Sequence, residues 1–299
     1  VQNQLTTTYQ RLSSGMRINS AKDDAAGLQI ADRLTSQING LNQGNRNASD
    51  GIALAQTMEA GMDEISGMLQ KVRTLAVQAN NGTNTSDDRR AIGKEMEALV
   101  NEVNRIAQKT TFAGKTILNG EIAGSIFGDP ANKGGGNAGP AGATGTLTLQ
   151  VGSNKGDTIS FTADSVMFSK IGSGDLMGDA AGKVFKTSAD GTITVTLTKA
   201  ATDTSATSIA AIVELMDSMI SKVDGARADL GALQNRLESS IRNQSNVAAN
   251  EADARSRIRD ADFAEESANL SQQSIIQQAA ASMLMQANTR PQLGLSLLG

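Results

Sequence analysis

The segment LQIADRLTSQINGLNQGNRNASDGIALAQTMEAGMDEISGMLQKVRTLAVQA, residues 28–79, carries apolar residues that recur mostly at steps of three and four, with Asn45 in the series between Leu41 and Ala48. This spacing gathers them on one face of a helix and continues for about seven heptads. A single helix of this length would reach roughly 75 Å at ~1.5 Å per residue, more than the width of an ordinary domain. The stripe consists of Leu28, Ala31, Leu34, Ile38, Leu41, Ala48, Ile52, Ala55, Met62, Ile65, Leu69, Val72, Leu75 and Ala79. The segment therefore predicts a long helix that packs along one face.

The residues that follow predict a turn and a second, shorter helix. NNGTNTSDD, residues 80–88, is rich in turn formers, and Ser86 is a candidate N-cap with two aspartates behind it at the positive end of the helix dipole. The next apolar face consists of Ile92, Met96, Leu99, Val103 and Ile106. The pattern stops near Asn119-Gly120, a pair typical of turns.

The C-terminal part of the chain repeats the helical pattern. Its stripe consists of Ile209, Ile212, Leu215, Met219, Val223, Leu230, Leu233 and Leu237. The stripe weakens towards Ile258 and resumes at Leu270, and Pro291 is expected to end the last helix. The N-terminal helices would lead to the middle zone and the C-terminal helices would return from it. We therefore expect both chain ends at the same end of a helical rod.

The zone between the two helical parts alternates like strands. TLTLQV (146–151) and TISF (158–161) flank GSNKGD and predict a hairpin, and GTITVTLT (191–198) predicts a further strand. Residues 121–145 are rich in glycine and predict an irregular insertion. The predicted fold class is mainly α with a smaller β part. A long antiparallel, coiled-coil-like rod is formed by the N- and C-terminal segments, with a central β-hairpin and variable region.

The composition argues against an enzyme. The chain has no Cys and no His, which excludes thiol chemistry and thiolate metal sites and removes the commonest general base. The pair Asp23-Asp24 does not follow the EF-hand pattern, and the glycines at 134–136 lack the setting of a phosphate-binding loop. We expect no catalytic residues, no metal and no cofactor.

Charge and hydropathy argue against binding to nucleic acid and to membranes. The net charge is −4 and no dense Lys/Arg run occurs, which disfavours nucleic acid and anionic membranes. No apolar run reaches the ~18 residues of a transmembrane helix, and no signal peptide follows Val1.

Seven stretches resemble one family specifically. They are RLSSGMRINSAKDDAAGLQIADRL (11–34), LQKVRTLAVQANNGTNTSDDRRAI (69–92), RIAQKTTFAGKTILNG (105–120), LQVGSNKGDTI (149–159), LGALQNRLESSI (230–241), SRIRDADFAEESANLSQQSIIQQAAASMLMQAN (256–288) and PQLGLSLLG (291–299). All closely resemble bacterial flagellin, which assembles into the flagellar filament for motility. The resemblance covers residues 1 to about 165 apart from the insertion at 121–145, and again from about 207 to 299.

The resemblance implies a layered subunit of a homo-polymer. Residues 1–25 and 260–299 would form the innermost terminal-helix layer. Residues 26–165 and 208–259 would form the helical rod with its β-hairpin, and residues 166–207 a short variable outward region.

Location and partners also follow from the resemblance. The protein is expected at the extracellular flagellum, exported by the flagellar type III route without a cleaved signal peptide. Expected partners are other copies of the chain, an export chaperone, the cap protein, hook–filament junction proteins and the host Toll-like flagellin receptor. Family members have roughly 20 residues before the position of Val1, so the innermost C-terminal helix is expected to lack part of its partner. The chain as given is therefore expected to polymerise poorly.

Two sets of residues are expected to carry function. By the resemblance, the receptor-recognition and subunit-interface residues are Leu69, Lys71, Arg73, Leu75, Gln78 and Glu95. The stimulatory pattern usually has Arg where Lys71 stands and Glu where Thr74 stands, so recognition is expected to be retained but weaker. The joint between innermost layer and rod is expected at Arg11, Gly15, Arg17, Asn19, Lys22, Asp23 and Asp24, with its polar groups facing other subunits.

Two alternatives remain open at this stage. A hook–filament junction protein would also assemble through helices at its two chain ends, although the rod segments of this chain match flagellin itself. A surface adhesin or glycan-binding flagellin homologue would carry its activity in the middle zone. The chain has no Trp and one Tyr, which argues against the aromatic platforms that sugar sites commonly use.

Overall fold

A computed structural model describes residues 1–129, 141–197 and 209–299, without the side chain of Phe263. The glycines at 134–136, and parts of the predicted insertion and outward region, lie outside these ranges. The helices are α1 Gln2–Ser14, α2 Ala25–Ala79, α3 Ser86–Lys109, α4 Phe168–Ile171, α5 Ile209–Arg259 and α6 Phe263–Leu298. The strands are β1 Thr111–Phe112, β2 Lys115–Thr116, β3 Gly145–Gln150, β4 Thr158–Ala163, β5 Met177–Gly178, β6 Phe185–Thr187 and β7 Ile193–Val195. The predicted class, mainly α with small central β sheets, is confirmed.

The described chain divides into two compact units. One consists of Val1–Gln43 with Asn243–Gly299, and the other of Gly44–Arg242. Both α2 and α5 contribute residues to each unit. The layers predicted from the resemblance divide the chain at other positions and stay a prediction.

In the Gly44–Arg242 unit, α2 packs antiparallel to α5. Arg73 Nε lies 2.7 Å from Asp217 Oδ1, and Gln234 Nε2 donates to Glu59 Oε2 at 3.1 Å. Residues late in α2 therefore meet residues early in α5, as the two stripes predict. Each fully buried Leu, Ile or Met of these stripes contributes roughly 1.5–3 kcal/mol by leaving water.

The predicted hairpin is confirmed as β3 and β4. The strands pair antiparallel, with Leu147 opposite Phe161. Two glycines of α2 let the hairpin approach the helix closely. A Cβ on Gly51 would lie 2.5 Å from Leu149 Cδ1, and a Cβ on Gly44 would lie 2.2 Å from the carbonyl oxygen of Val151. A larger residue at Gly44 would push the backbone at Val151 away from α2, whereas at Gly51 the end of the Leu149 side chain would have to move.

A three-stranded sheet, β5–β6–β7, was not predicted apart from its last strand. β5 pairs parallel to β6, and β6 pairs antiparallel to β7. Phe185 of β6 packs against Phe168 of α4, with 4.9 Å between the ring centroids, and both side chains are buried. These residues belong to the same hydrophobic cluster as α2, α3 and α5, so this segment is part of the core of its unit.

Helix α3 completes the hydrogen bonding of this segment with its side chains. Asn101 accepts from the N–H of Ile193 at 2.9 Å and donates to its carbonyl at 2.9 Å. Glu97 accepts from the N–H of Val195 at 3.1 Å. The amide of Asn101 thus bonds β7 as a neighbouring strand would.

Two expectations about helix ends are wrong. The N-cap of α3 is Thr85 rather than Ser86. Thr85 and Asp88 form a reciprocal capping box, whereas Ser86 as N-cap would have Arg89 in the position of Asp88, and an arginine cannot accept the return hydrogen bond. Pro291 lies inside α6, which continues to Leu298. A proline removes one backbone donor, and this long helix continues past that single missing bond.

No helix in the described ranges is long and apolar enough to cross a membrane.

Candidate recognition, joint and assembly surfaces

The predicted recognition residues lie on two helices of the Gly44–Arg242 unit. On α2, Lys71 and Gln78 are exposed, and Arg73 and Leu75 are half-buried. Glu95 is exposed on α3. These five positions are available, fully or partly, at the surface of the isolated chain.

Leu69 differs from the other predicted recognition residues. Its side chain is 0% exposed and packs in the core cluster of the unit. In the isolated chain it supports the helix surface from within. Arg73 also has an internal contact, because its guanidinium is paired with Asp217 on α5.

The turn between α2 and α3 holds the two helices in register. Arg89 Nε donates to the carbonyl of Ala79 at 3.4 Å. The N–H of Thr85 donates to Asp88 Oδ2 at 2.8 Å, and this bond, with one from the Thr85 hydroxyl, holds the pKa of Asp88 below its usual value. The capping box therefore favours the charged carboxylate, which also suits the positive end of the α3 dipole.

The predicted joint lies in the other unit, where the chain leaves α1. Gly15 has φ 72°, a left-handed conformation that ends the helix and that side chains disfavour. The carbonyl of Gly15 accepts from the N–H of Ala261 at 3.0 Å. The N–H groups of Arg17 and Ile18 both donate to the carbonyl of Arg259. The N-terminal segment is thus bonded to the turn between α5 and α6.

Two arginines reinforce the joint. Arg17 Nη2 donates to the carbonyl of Ile258 at 2.7 Å and lies 3.6 Å from Asp24 Oδ2. Arg11 Nε donates to the carbonyl of Arg17 at 3.0 Å, and its Nη1 lies 3.5 Å from Glu266 Oε1. Glu266 is buried, so Arg11 balances a carboxylate that would otherwise be costly to bury.

The remaining joint residues shape the start of α2. Asp23 Oδ2 accepts from the N–H of Asn19 at 2.9 Å, and Asp24 Oδ1 accepts from the N–H of Gly27 at 2.9 Å. Lys22 is exposed and lines an open polar cavity beside α1. The structure brings six of the seven predicted joint residues into one network, apart from Lys22. The sequence did not predict the residues that this network contacts at the C-terminal side, which are Ile258, Arg259 and Glu266.

A third surface lies on α6. Thr8 on α1 donates to Gln273 Oε1 at 2.9 Å, and Leu5 and Thr8 are buried, so the first turns of α6 are covered by α1. From residue 278 to the C-terminus every residue is exposed. Large apolar side chains exposed on α6 are Ile275, Ile276, Met283, Leu284, Met285, Leu293, Leu295, Leu297 and Leu298. Exposed apolar side chains at this density indicate a surface that another chain covers.

Comparison with known proteins agrees with this architecture. The bacterial flagellin N-terminal helical region matches residues 1–123, and the bacterial flagellin C-terminal helical region matches residues 213–298. Polar flagellin C of Vibrio parahaemolyticus is 34% identical, over 99% of this chain and 94% of the relative. The chain belongs to the bacterial flagellin family.

This flagellin is also 36% identical to the flagellin of Halalkalibacterium halodurans, over 99% of the chain and 92% of the relative. A solved structure provisionally assigned as a flagellar hook-associated protein of Vibrio parahaemolyticus has the same fold, with a TM-score of 0.58 at 15% identity, covering 80% of this chain and all of the other. Membership of the family makes this protein a structural, non-enzymatic subunit of the flagellar filament, located at the extracellular flagellum. Within the described ranges no group of His, Cys, Asp or Glu could hold a metal ion.

Proposed function

We propose that this flagellin contacts neighbouring copies mainly through α6. The observation that carries the proposal is the exposed apolar surface of α6, which no described residue of the same chain covers beyond residue 278. Burial of this surface between copies would remove it from water, and assembly would then order the terminal helices. The proposal includes the expected layers: residues 1–25 with 260–299 innermost, 26–165 with 208–259 as the rod, and 166–207 outward.

Polar replacements on α6 test this proposal. Leu284 and Leu295 are 65% and 77% exposed, so the double change Leu284→Gln/Leu295→Gln is expected to leave thermal unfolding of the monomer unchanged. Each leucine buried in an interface contributes roughly 1.5–3 kcal/mol, so the critical concentration for assembly should rise by at least on the order of tenfold. Sedimentation over a series of chain concentrations measures the critical concentration of parent and variant, and electron microscopy shows whether filaments form.

The matched control is Gln278→Ser/Gln292→Ser, which changes two exposed polar residues of the same helix. This control is expected to assemble like the parent. Normal assembly by the leucine variant would show that α6 does not form the subunit contact.

We further propose that the host Toll-like flagellin receptor recognises the α2–α3 surface. Support comes from the exposure of Lys71, Gln78 and Glu95 on neighbouring helices that the α2–α3 turn holds together. Arg73 and Leu75 are half-buried and would contribute the inner edge of the surface. Leu69 would act indirectly, through packing.

Replacing Lys71 by Arg is expected to raise receptor activation a few-fold. The planar guanidinium can make two parallel hydrogen bonds where the ammonium of Lys71 is a point charge, and the side chain is exposed, so the fold should not change. A reporter-cell dose–response curve measures the effect. Lys115→Arg, an exposed lysine outside the surface, is the control. Equal potency of the parent and the Lys71 variant would contradict the predicted role.

The remaining proposed partners follow from the same surfaces. An export chaperone would cover the apolar part of α6 before assembly, and the flagellar type III route would carry the chain to the flagellum. The cap protein and the hook–filament junction proteins would meet it at the filament ends. The junction-protein alternative is disfavoured, because relatives at 34% and 36% identity over nearly the whole chain are flagellins.

A further inference from the structure

Asparagine followed by glycine is the sequence most prone to spontaneous loss of its side-chain amide, because glycine leaves the following main-chain nitrogen unhindered. The chain contains three such pairs: Asn39-Gly40, Asn81-Gly82 and Asn119-Gly120. The three asparagines lie in very different surroundings. The structure therefore indicates which of them can react in the folded chain, which the sequence alone does not.

Asn81 and Gly82 lie in the turn between α2 and α3. Both residues are exposed, and a Cβ placed on Gly82 would meet no atom within 4 Å. In the described part of the chain, the N–H of Gly82 has no hydrogen-bond acceptor. The side-chain oxygen of Asn81 has only a long contact, 3.5 Å, to the N–H of Thr83. Both reacting groups are therefore free to meet.

Asn39 is protected by its helix. It lies in the interior of α2, where the N–H of Gly40 belongs to the regular ladder of helical hydrogen bonds. Helical backbone angles also keep that nitrogen directed along the helix axis. A reaction at Asn39 would require local unfolding of α2.

Asn119 is protected by burial. It is 3% exposed, and its side-chain oxygen accepts from the Ser165 hydroxyl at 2.5 Å and from the N–H of Gly142 at 3.2 Å. Gly120 is also tightly surrounded, because a Cβ there would lie 2.1 Å from the carbonyl oxygen of Ala143. The side chain cannot turn towards the following nitrogen without loss of these bonds.

We propose that Asn81 is a self-modification site at which folded flagellin acquires isoaspartate. The main-chain nitrogen of Gly82 loses its proton and attacks Cγ of Asn81. A bond forms between that nitrogen and Cγ, the bond from Cγ to Nδ2 breaks, and ammonia leaves. One water then opens the resulting five-membered imide at either carbonyl, which gives aspartate or isoaspartate without any change of oxidation state.

The isoaspartate product changes the turn in two ways. The carbonyl of Asn81 now accepts from the main-chain N–H of Asn84 at 3.2 Å and from its side-chain nitrogen at 3.0 Å. In isoaspartate this carbonyl becomes a free carboxylate outside the main chain, and the main chain lengthens by one carbon. The new negative charge also lies just past the C-terminal end of α2, where the helix dipole disfavours it.

Incubation of the full folded chain in mildly alkaline buffer at 37 °C tests the proposal. Tryptic peptides are analysed by mass spectrometry for the exchange of NH2 for OH, and isoaspartate is counted with an isoaspartate-specific methyltransferase and a labelled methyl donor. Asn81 is expected to convert faster than Asn39 and Asn119 by at least on the order of tenfold. In denaturant the three rates should converge, because all three are then unprotected asparagine-glycine pairs.

Gly82→Ala is the matched variant. Gly82 does not have a positive φ and has open space where a Cβ would go, so alanine fits the native turn. It should slow conversion at Asn81 by on the order of tenfold and leave thermal unfolding unchanged. Conversion at Asn81 no faster than at Asn39 in the folded chain would overturn the proposal. A rate order that persists in denaturant would also overturn it, because sequence rather than turn geometry would then control the reaction.

Discussion

Replacing Asn104 by Leu is expected to lower the free energy of unfolding by about 2–6 kcal/mol. Asn104 is buried on α3, where its side-chain oxygen accepts from the N–H of Phe168 at 2.8 Å and its side-chain nitrogen donates to the carbonyl of Gly191 at 3.0 Å. Leucine has the same number of side-chain heavy atoms, branched at the same carbon, but leaves both backbone groups buried without a partner, at about 1–3 kcal/mol each. Urea denaturation followed by circular dichroism measures the change.

Two variants calibrate this result. Asn101 is half-buried, so water can replace its side-chain amide at Ile193, and Asn101→Ala should cost less than the Asn104 variant. Glu95→Ala, at an exposed position of the same helix, should stay within about 0.5 kcal/mol of the parent. If the Asn104 variant were as stable as the Glu95 variant, residues 166–197 would not be fixed to α3 by this side chain.

Truncation of Phe168 to Ala is expected to cost about 3–5 kcal/mol. The side chain is fully buried, faces the ring of Phe185 and lies in the core cluster shared with α3. Its removal leaves a cavity that the surrounding helices cannot close. Phe168→Leu keeps most of the volume and should cost less than about 1.5 kcal/mol. Equal losses in the two variants would show that the site depends on the aromatic ring itself rather than on filled volume.

The long helices could be predicted from the sequence because their signal repeats many times. The stripes of α2 and α5 run through many turns, and the hairpin β3–β4 alternates over two strands of six residues each. The sheet β5–β6–β7 gives no such signal. Its strands have two or three residues, too few to show alternation, and they depend on pairing with each other and with α3.

The joint shows a second limit of sequence reasoning. The charged residues Arg11, Arg17 and Asp24 stand out in a polar stretch, and most of the predicted residues do meet. The main acceptors of Arg17 are the backbone carbonyls of Ile258 and Arg259, and a carbonyl has no sequence signature. The contact of the joint with other subunits remains a prediction, and in the isolated chain the two arginines contact the C-terminal segment of the same chain.

The bonding of Asn101 and Glu97 to β7 has a consequence for how the subunit associates. An edge strand with free N–H and carbonyl groups can recruit a strand from another molecule, and a protein that reaches high local concentration in a polymer is exposed to that hazard. Here the groups of Ile193 and the N–H of Val195 are already occupied by α3. These three groups of β7 are therefore not available to a strand from another molecule.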